Sequence, residues 1–173
     1  MKRITLQRAL SALFIVVLSG VLMGAYSIQF FKDEMPCPLC LLQRVGMIGV
    51  ALGQVLNLRF GMRPAHHAFS IFSALCGASV SIRQITLHIC PGFPTFGEPV
   101  FGASLYTWAF ITFVASIFAI GCMLFLYKND TDQKAPPKME LWAKAACGLI
   151  LLITVANIFT TFWECGPLFC PEI

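Results

Sequence analysis

The stretch GASLYTWAFITFVASIFAIGCMLFLY, residues 102 to 127, decides the fold class of this chain. It carries no charged residue, and it is longer than the about 20 helical residues that cross the hydrocarbon core of a bilayer. Hydrophobic residues make up 58% of the 173 residues and charged residues only 12%, about half the proportion of a soluble domain. Since so few polar residues cannot cover a water-exposed surface, the sequence predicts a membrane protein.

Four further apolar stretches have a comparable length. Backbone groups in lipid must be hydrogen-bonded within the membrane, and the alternating pattern of barrel strands is absent, so every span is predicted to be a helix. The spans use most of the chain, which predicts one all-α domain, residues 1–173, built as a polytopic membrane helix bundle. The predicted spans are Ala9–Phe30, Cys40–Leu58, Ala68–Leu87, Gly102–Tyr127 and Leu141–Trp163.

Basic residues predict the orientation, because the ends of spans that carry them face the cytoplasm. The outward loops are then 31–39 and 88–101, the tail 164–173 is also outward, and the N-terminus is cytoplasmic. A cleaved signal peptide is the alternative for the first span, but that apolar run is longer than a signal core. The segment 128–138 is predicted to be a solvated connection, with no nucleic-acid partner. The inward basic residues are Lys2, Arg3, Arg8, Arg59, Arg63, Lys128, Lys134, Lys138 and Lys144.

Five of the eight cysteines fall on the predicted outward side: Cys37, Cys40, Cys90, Cys165 and Cys170. Disulfides persist outside the reducing cytosol, so this clustering favours thiol redox chemistry. A zinc site is the less favoured alternative, because it needs a second ligand pair at metal spacing, although His88 and Cys90 could complete one. The other three cysteines, inside spans, are interpreted as packing residues: Cys76, Cys122 and Cys147.

The motif Cys37-Pro38-Leu39-Cys40 places two sulfurs within bonding reach where a loop enters the second span. Cys40 is expected to open that span, near unpaired backbone amides that favour a thiolate. Arg44 lies on the same helical face, and a guanidinium inside a membrane is costly unless it faces a polar cavity, an anion or a headgroup. We interpret Arg44 as stabilising the thiolate and the charge on an acceptor such as a quinone oxygen. Snorkelling to lipid phosphate is the alternative.

Polar residues also gather at the outward end of the third span. Arg83 and His88 are predicted to join Arg44 in binding the acceptor, and Gln84 lies between them. The alternatives are an interfacial anchor for His88 and a bond between helices for Gln84.

The run CPLCLLQR, residues 37 to 44, with the glycine-rich helix after it, resembles the first outward loop of the DsbB family of disulfide-generating membrane proteins. The stretches SIRQITLH (81 to 88) and FGASLYTW (101 to 108) resemble the end of the family's third helix and the start of its fourth. The resemblance covers roughly residues 8 to 127.

This resemblance implies a four-helix bundle in the bacterial inner membrane that passes electrons from a periplasmic DsbA-like thiol oxidase to a quinone, either ubiquinone or menaquinone. It implies that Cys37 and Cys40 are the quinone-linked pair, with Cys40 facing the quinone. Arg44 matches the arginine that follows the pair, and Cys90 matches the first cysteine of the second outward loop.

The chain departs from the family pattern after Cys90. The stretch 91–101 is short and holds no second cysteine, whereas a fifth span leads to an outward tail with Cys165 and Cys170. A tail cysteine is expected to replace the missing partner of Cys90. Single bridges between Cys90 and Cys165, Cys90 and Cys170, or Cys165 and Cys170 all remain open.

Two other functions remain as alternatives at this stage. One is a vitamin K epoxide reductase-like thiol and quinone oxidoreductase, which shares the bundle and the dithiol. The other is a nonenzymatic protein whose cysteines bind a metal or stabilise the loops. The direction of electron flow, the type of quinone and the identity of the thiol partner are left open by the sequence.

Overall fold

A computed structural model describes residues 2–32, 37–89, 99–127 and 139–165, without the side chains of residues 2–5, 31–32 and 164–165. Five helices follow one another: α1 (Lys2–Lys32), α2 (Pro38–Phe60), α3 (Pro64–Ile89), α4 (Leu105–Phe125) and α5 (Leu141–Cys165). All five are long and apolar enough to cross a membrane. The described residues form no strand beyond one isolated bridge, between Val100 and Ala103. The prediction of an all-α polytopic bundle is confirmed.

Four of the five helices begin at other residues than the predicted spans, and only α5 begins where predicted. The starts of α2 and α4 differ for local reasons. Helix α2 begins at Pro38, with Cys37 as its N-cap in an extended conformation, so Cys40 lies within the first turn and does not open the helix. Proline suits the first helical position because its missing N–H would have no helical partner there. Helix α4 begins at Leu105, because Phe101 (φ 53°) and Gly102 (φ 78°) adopt the left-handed region and cannot start a right-handed helix.

Helices α1 and α5 pack side by side and run in the same direction. Tyr26, near the end of α1, is hydrogen-bonded to Asn157, near the end of α5. On both helices the buried residues recur every three or four positions, the spacing of knobs-into-holes packing. They include Ser11, Ile15, Leu18 and Leu22 on α1, and Ala143, Ala146, Ile150 and Ile153 on α5.

Helices α2 and α3 pack most closely, because Gly53 of α2 has no side chain to collide with α3. A Cβ atom at Gly53 would lie 2.6 Å from the His66 carbonyl oxygen and would overlap Ser70 Oγ. A polar network crosses the same interface: Gln54 Nε2 donates to Ser70 Oγ (3.1 Å), and Ser11 Oγ donates to Gln54 Oε1 (3.1 Å). These bonds join α1, α2 and α3 at the end of the bundle opposite Cys37.

The packing order leaves a cleft between α1 and α4. Helix α1 packs against α2 and α5, whereas α4 packs chiefly against α3. Because successive helices alternate in direction from α1 to α4, the end of α1, the start of α2, the end of α3 and the start of α4 meet at one end of the bundle. The candidate functional site lies there.

Candidate functional site: a dithiol beside an apolar cleft

The dithiol sits on the first turn of α2. Cys37 Sγ accepts a hydrogen bond from the backbone N–H of Cys40 at 3.1 Å, which caps the helix. Both side chains are partly buried, and both are free thiols. The cap therefore fixes the first cysteine against the backbone of the second.

Gln84 of α3 reaches across to both sulfurs. Its Nε2 donates to Cys37 Sγ at 3.3 Å and to Cys40 Sγ at 3.5 Å, and its side chain is 1% exposed. Gln43 Nε2 donates to Gln84 Oε1 at 2.8 Å. Because an amide carbonyl accepts and an amide NH₂ donates, this bond from Gln43 orients the NH₂ of Gln84 towards the dithiol.

The hydrogen bond between the two thiols raises the pKa of Cys37 well above its usual range, and burial adds to the effect. The backbone N–H of Cys40 and the amide of Gln84 act in the opposite direction but are weaker. Cys37 therefore stays a thiol at neutral pH and can donate to the sulfur of Cys40.

Arg44 lies one turn after Cys40 and is only 8% exposed. Its Cζ lies 4.8 Å from the centroid of the Tyr26 ring, a cation–π contact between α2 and α1. Glu140 is the only carboxylate whose side chain is described, and it accepts a hydrogen bond from Trp142 at the opposite end of the bundle. Among the described side chains, the charge of Arg44 therefore faces an aromatic ring and no carboxylate.

The cleft between α1 and α4 has a volume of about 470 Å³, within the usual range of small-molecule sites. It is mostly apolar, with a small polar group at its inner wall made by α2 and α3. A Cβ atom at Gly24 would meet nothing within 4 Å, so α1 leaves open space there. The lining residues are Val21, Gly24, Ala25, Ile28, Gln29, Cys40, Gln43, Arg44, Met47, Gln84, Val100, Phe101, Leu105, Tyr106, Trp108, Ala109 and Thr112.

A short turn before α4 forms one edge of the cleft. Val100 and Ala103 pair through their backbones, and Trp108 Nε1 donates to the Val100 carbonyl oxygen at 2.9 Å. Phe101, at the tip of the turn, is 95% exposed and also lines the cleft. The turn thus places an exposed aromatic ring at the edge of the opening.

The structure brings some of the predicted site residues together and not others. Cys37 and Cys40 form one cluster, and Cys40 and Arg44 line one cleft. Arg83 is exposed and does not line the cleft. His88 does not line it either, but stacks on the lining residue Tyr106 with ring centroids 5.1 Å apart.

The remaining predicted cysteines lie largely beyond the described part of the chain. Cys90 and Cys170 are outside it, and Cys165 is described only as the last helical residue of α5. Among the described residues, no group of three His, Cys, Asp or Glu could hold a metal ion. The zinc alternative depends mostly on the loop and tail cysteines, whose side chains are not among those described.

Sequence reasoning missed several residues of this cluster. Gln84 was grouped with Arg83 and His88 at the outward end of the third span, with a bond between helices as its alternative, but its contact with the sulfurs was not predicted. Gln43 and Tyr26 were not assigned a role. Gln43 offered one signal, because it lies three residues after Cys40 on the same helical face. Tyr26 offered none, since its position depends on how α1 packs against α2.

The comparisons with known proteins identify the family of the chain. The family model for disulfide bond formation protein DsbB matches residues 7–96, which is more than half of the chain and contains the dithiol, Arg44 and Gln84. The chain belongs to the DsbB family. With its five membrane-capable helices, it is therefore a multi-pass membrane protein of disulfide bond formation.

Individual members of the DsbB family are moderately similar to the chain. Disulfide bond formation protein B 2 of Burkholderia lata is 30% identical over 129 residues, covering 57% of this chain and 77% of the relative. Disulfide bond formation protein B of Burkholderia thailandensis is 25% identical over 158 residues, covering 71% and 92%. The protein of the same name from Pseudomonas syringae pv. tomato is 29% identical over 153 residues, covering 68% and 89%. No solved structure matches the chain.

These alignments also show that the chain is shorter than its DsbB relatives within the matched region. The Burkholderia lata alignment spans 129 positions but covers 57% of 173 residues, about 99, so about 30 positions have no counterpart here. The family model ends at residue 96, between α3 and α4. Both observations agree with the short connection that the sequence shows after Cys90.

Proposed function

We propose that this protein is a quinone-dependent thiol:disulfide oxidoreductase that reoxidises a periplasmic DsbA-like thiol oxidase and passes the electrons to a membrane quinone. The observation that carries the proposal is that Cys40 and Arg44 line the same apolar cleft. A redox-active sulfur and a permanent cation meet there in a space of the size that a small ligand needs.

The cleft suits a quinone, ubiquinone or menaquinone, by its chemistry. Its walls are mostly apolar, and its few polar side chains include the cation Arg44. A bound quinone would accept the two electrons and two protons that the dithiol loses on forming its disulfide. The guanidinium of Arg44 would stabilise negative charge on a ligand oxygen.

The two cysteines of the dithiol have different roles. Cys40 lines the cleft and is the sulfur that faces the acceptor, while Cys37 is held outside it by the helix cap. Oxidation forms the S–S bond between them and releases both thiol protons. The amide of Gln84 donates to both sulfurs and would stabilise the thiolate from which the electrons leave.

Access to the cleft would come from the side. The cleft lies between α1 and α4, and Gly24, Ala25 and Ala109 line it with small side chains. A lipid-soluble ligand could therefore enter between these helices from the membrane without passing through water.

The outward cysteines would relay the electrons from the partner protein. A reduced partner protein would attack a disulfide among Cys90, Cys165 and Cys170, and exchange with Cys37 would pass the two electrons to the inner pair. We favour a bridge between Cys90 and a tail cysteine. The parallel packing of α1 and α5 supports this choice, because it brings the helix end at Cys165 to the same end of the bundle as the dithiol.

This function requires the topology inferred from the basic residues. The N-terminus would be cytoplasmic, and the dithiol, the second loop and the tail would be periplasmic, in a bacterial inner membrane. The whole chain, residues 1–173, would act as one membrane domain.

The test is quinone reduction by the purified protein supplied with a reduced DsbA-like partner, using ubiquinone and menaquinone in parallel. The parent is compared with Cys40→Ser and with the control Cys76→Ser, whose thiol is exposed on α3 away from the cleft. We expect turnover by the parent and by Cys76→Ser, and none by Cys40→Ser. Equal turnover in all three, or none in the parent with a partner that binds, would reject the proposal.

A further inference from the structure

Helix α5 makes a specific polar contact with α1 near the candidate site. Tyr26 Oη donates to Asn157 Oδ1 at 2.9 Å and lies 3.0 Å from Thr160 Oγ1. Because Tyr26 gives its one proton to Asn157, Thr160 Oγ1 is the donor in the contact with Tyr26 Oη. The Ala156 carbonyl oxygen, 2.9 Å from the same hydroxyl, is another acceptor for the Thr160 proton. Two polar side chains of α5 thus hold the phenol of one residue of α1.

The ring of the same tyrosine contacts Arg44, a residue that lines the cleft. The guanidinium of Arg44 lies over the Tyr26 ring, with Cζ 4.8 Å from the centroid. Tyr26 therefore contacts α5 with its hydroxyl and α2 with its ring. This places it between α5 and a residue that lines the cleft.

A long arginine side chain in an apolar cleft has few groups to hold it. The aliphatic part of an arginine side chain can adopt many rotamers, and restricting it to one costs conformational entropy. A cation–π contact is stronger in a desolvated place, but it holds the guanidinium only while the ring stays beneath it. The two hydrogen-bonding partners on α5 would stop the ring from sliding away.

We propose that Asn157 and Thr160 are positioning residues, which hold Tyr26 against Arg44 and so fix the guanidinium in the cleft that Cys40 shares. The family model ends at residue 96, before α5 begins, so the family match assigns no role to this helix. Helix α5 is then part of the redox site as well as a carrier of the tail. The effect on turnover rests on the proposed function, whereas the effect on the geometry does not.

The test uses variants that remove the contact with little change of shape. Tyr26→Phe keeps the ring and removes the hydroxyl, and the double variant Asn157→Leu/Thr160→Val removes both partners. Thr160→Ser keeps a hydroxyl at the same place. Thr161→Val is the matched control, because the Thr161 hydroxyl donates to the Asn157 carbonyl oxygen within α5.

The first readout needs no quinone: it is the rate at which iodoacetamide alkylates Cys40 in the reduced protein at pH 7. Arg44→Met, which removes the guanidinium, is the reference variant. Tyr26→Phe and the α5 double variant are expected to change the alkylation rate of Cys40 threefold or more, in the same direction as Arg44→Met. Combining them should add nothing, because both break one contact. Thr160→Ser and Thr161→Val should match the parent.

The second readout is quinone turnover, where the same two changes should raise KM more than they lower kcat. Parental alkylation rates in Tyr26→Phe, additive effects in the combination, or an equal effect of Thr161→Val would overturn the proposal. If the double variant does not fold, Tyr26→Phe alone decides by the first readout. A parent that reduces no quinone would reject the proposed function, and the alkylation rates would still decide on the role of α5.

Discussion

Gln43 and Gln84 form a buried amide pair in which Gln43 Nε2 donates to Gln84 Oε1 at 2.8 Å. This bond leaves the NH₂ of Gln84 to donate to the two sulfurs of the dithiol. The two cysteines at the start of α2 thus accept hydrogen bonds from Gln84 of α3, and Gln43 of α2 sets the direction of that amide.

The first prediction concerns Gln84. Replacing it with leucine removes the donor to both sulfurs, and it should slow oxidation of the dithiol by quinone about tenfold, the effect of about 1.5 kcal/mol for one hydrogen bond to a charged group. Gln84→Glu should slow it further, since a carboxylate repels a thiolate. Stopped-flow single-turnover kinetics measure both rates. Arg83→Gln, on the exposed face of α3, is the control and should keep the parental rate.

The second prediction concerns access to the cleft. Gly24→Leu should fill open space beside the cleft without colliding with the protein, because a Cβ atom there meets nothing within 4 Å. We expect KM for quinone to rise at least tenfold while the protein stays folded. Gly20→Leu is the matched control on α1, since Gly20 is equally open but does not line the cleft. Equal effects of both variants would show that the entrance lies elsewhere.

The third prediction concerns pH. The pKa of Cys37 is raised, chiefly by its hydrogen bond with Cys40, so its thiol form persists beyond the ordinary value of 9.0. The stabilisation from that thiol is complete below pH 9.0 and is lost only as pH rises through the higher, folded-state pKa. Alkylation of Cys37 in the reduced protein, followed by peptide mass spectrometry, should therefore be slow at pH 8. Cys40→Ala removes the hydrogen bond that chiefly raises the pKa of Cys37, so alkylation of Cys37 at pH 8 should become faster. An unchanged alkylation rate would contradict the prediction.

The fourth prediction concerns the α2–α3 interface. Gly53→Ala forces a methyl group against the His66 carbonyl and the Ser70 hydroxyl, and it should lower the free energy of unfolding by about 1–3 kcal/mol. Thermal or denaturant unfolding in detergent measures the change. Gly121→Ala is the control, because no atom lies within 4 Å of its added Cβ. A loss of stability no larger than that of the control would mean that the two helices separate easily.

The sequence predicted the helices well and the site only in part. All five spans were found from composition and length, and the start of α2 was displaced by only two residues. Cys37, Cys40 and Arg44 were grouped because they follow one another at spacings of three and four residues at the start of one helix, where spacing alone determines which residues are neighbours. Arg83 was grouped with them by its depth in the membrane, and that argument does not say which face of α3 it occupies.

Residues that are adjacent in sequence point in different directions from a helix, and Arg83 and Gln84 are an example: Gln84 contacts the dithiol, whereas Arg83 is exposed. Successive residues point about 100° apart, since a turn holds about 3.6 residues. The rotation of α3 about its axis therefore decides which of the two meets the dithiol. That rotation is set by the packing of α3 on α2 and α4, where Gly53 and Gly77 allow close approach to Ser70 and Phe113.

The sequence by itself determined that five helices span a membrane, and that a dithiol lies at the start of the second with an arginine one turn after its second cysteine. These are local properties, because transfer of a segment into lipid and spacing along one helix depend on contiguous residues. Only the tertiary structure decided that Gln84 meets both sulfurs, that Tyr26 lies against Arg44, and that a cleft stays open between α1 and α4. Those contacts join residues far apart in the chain, and close packing between whole helices selects them.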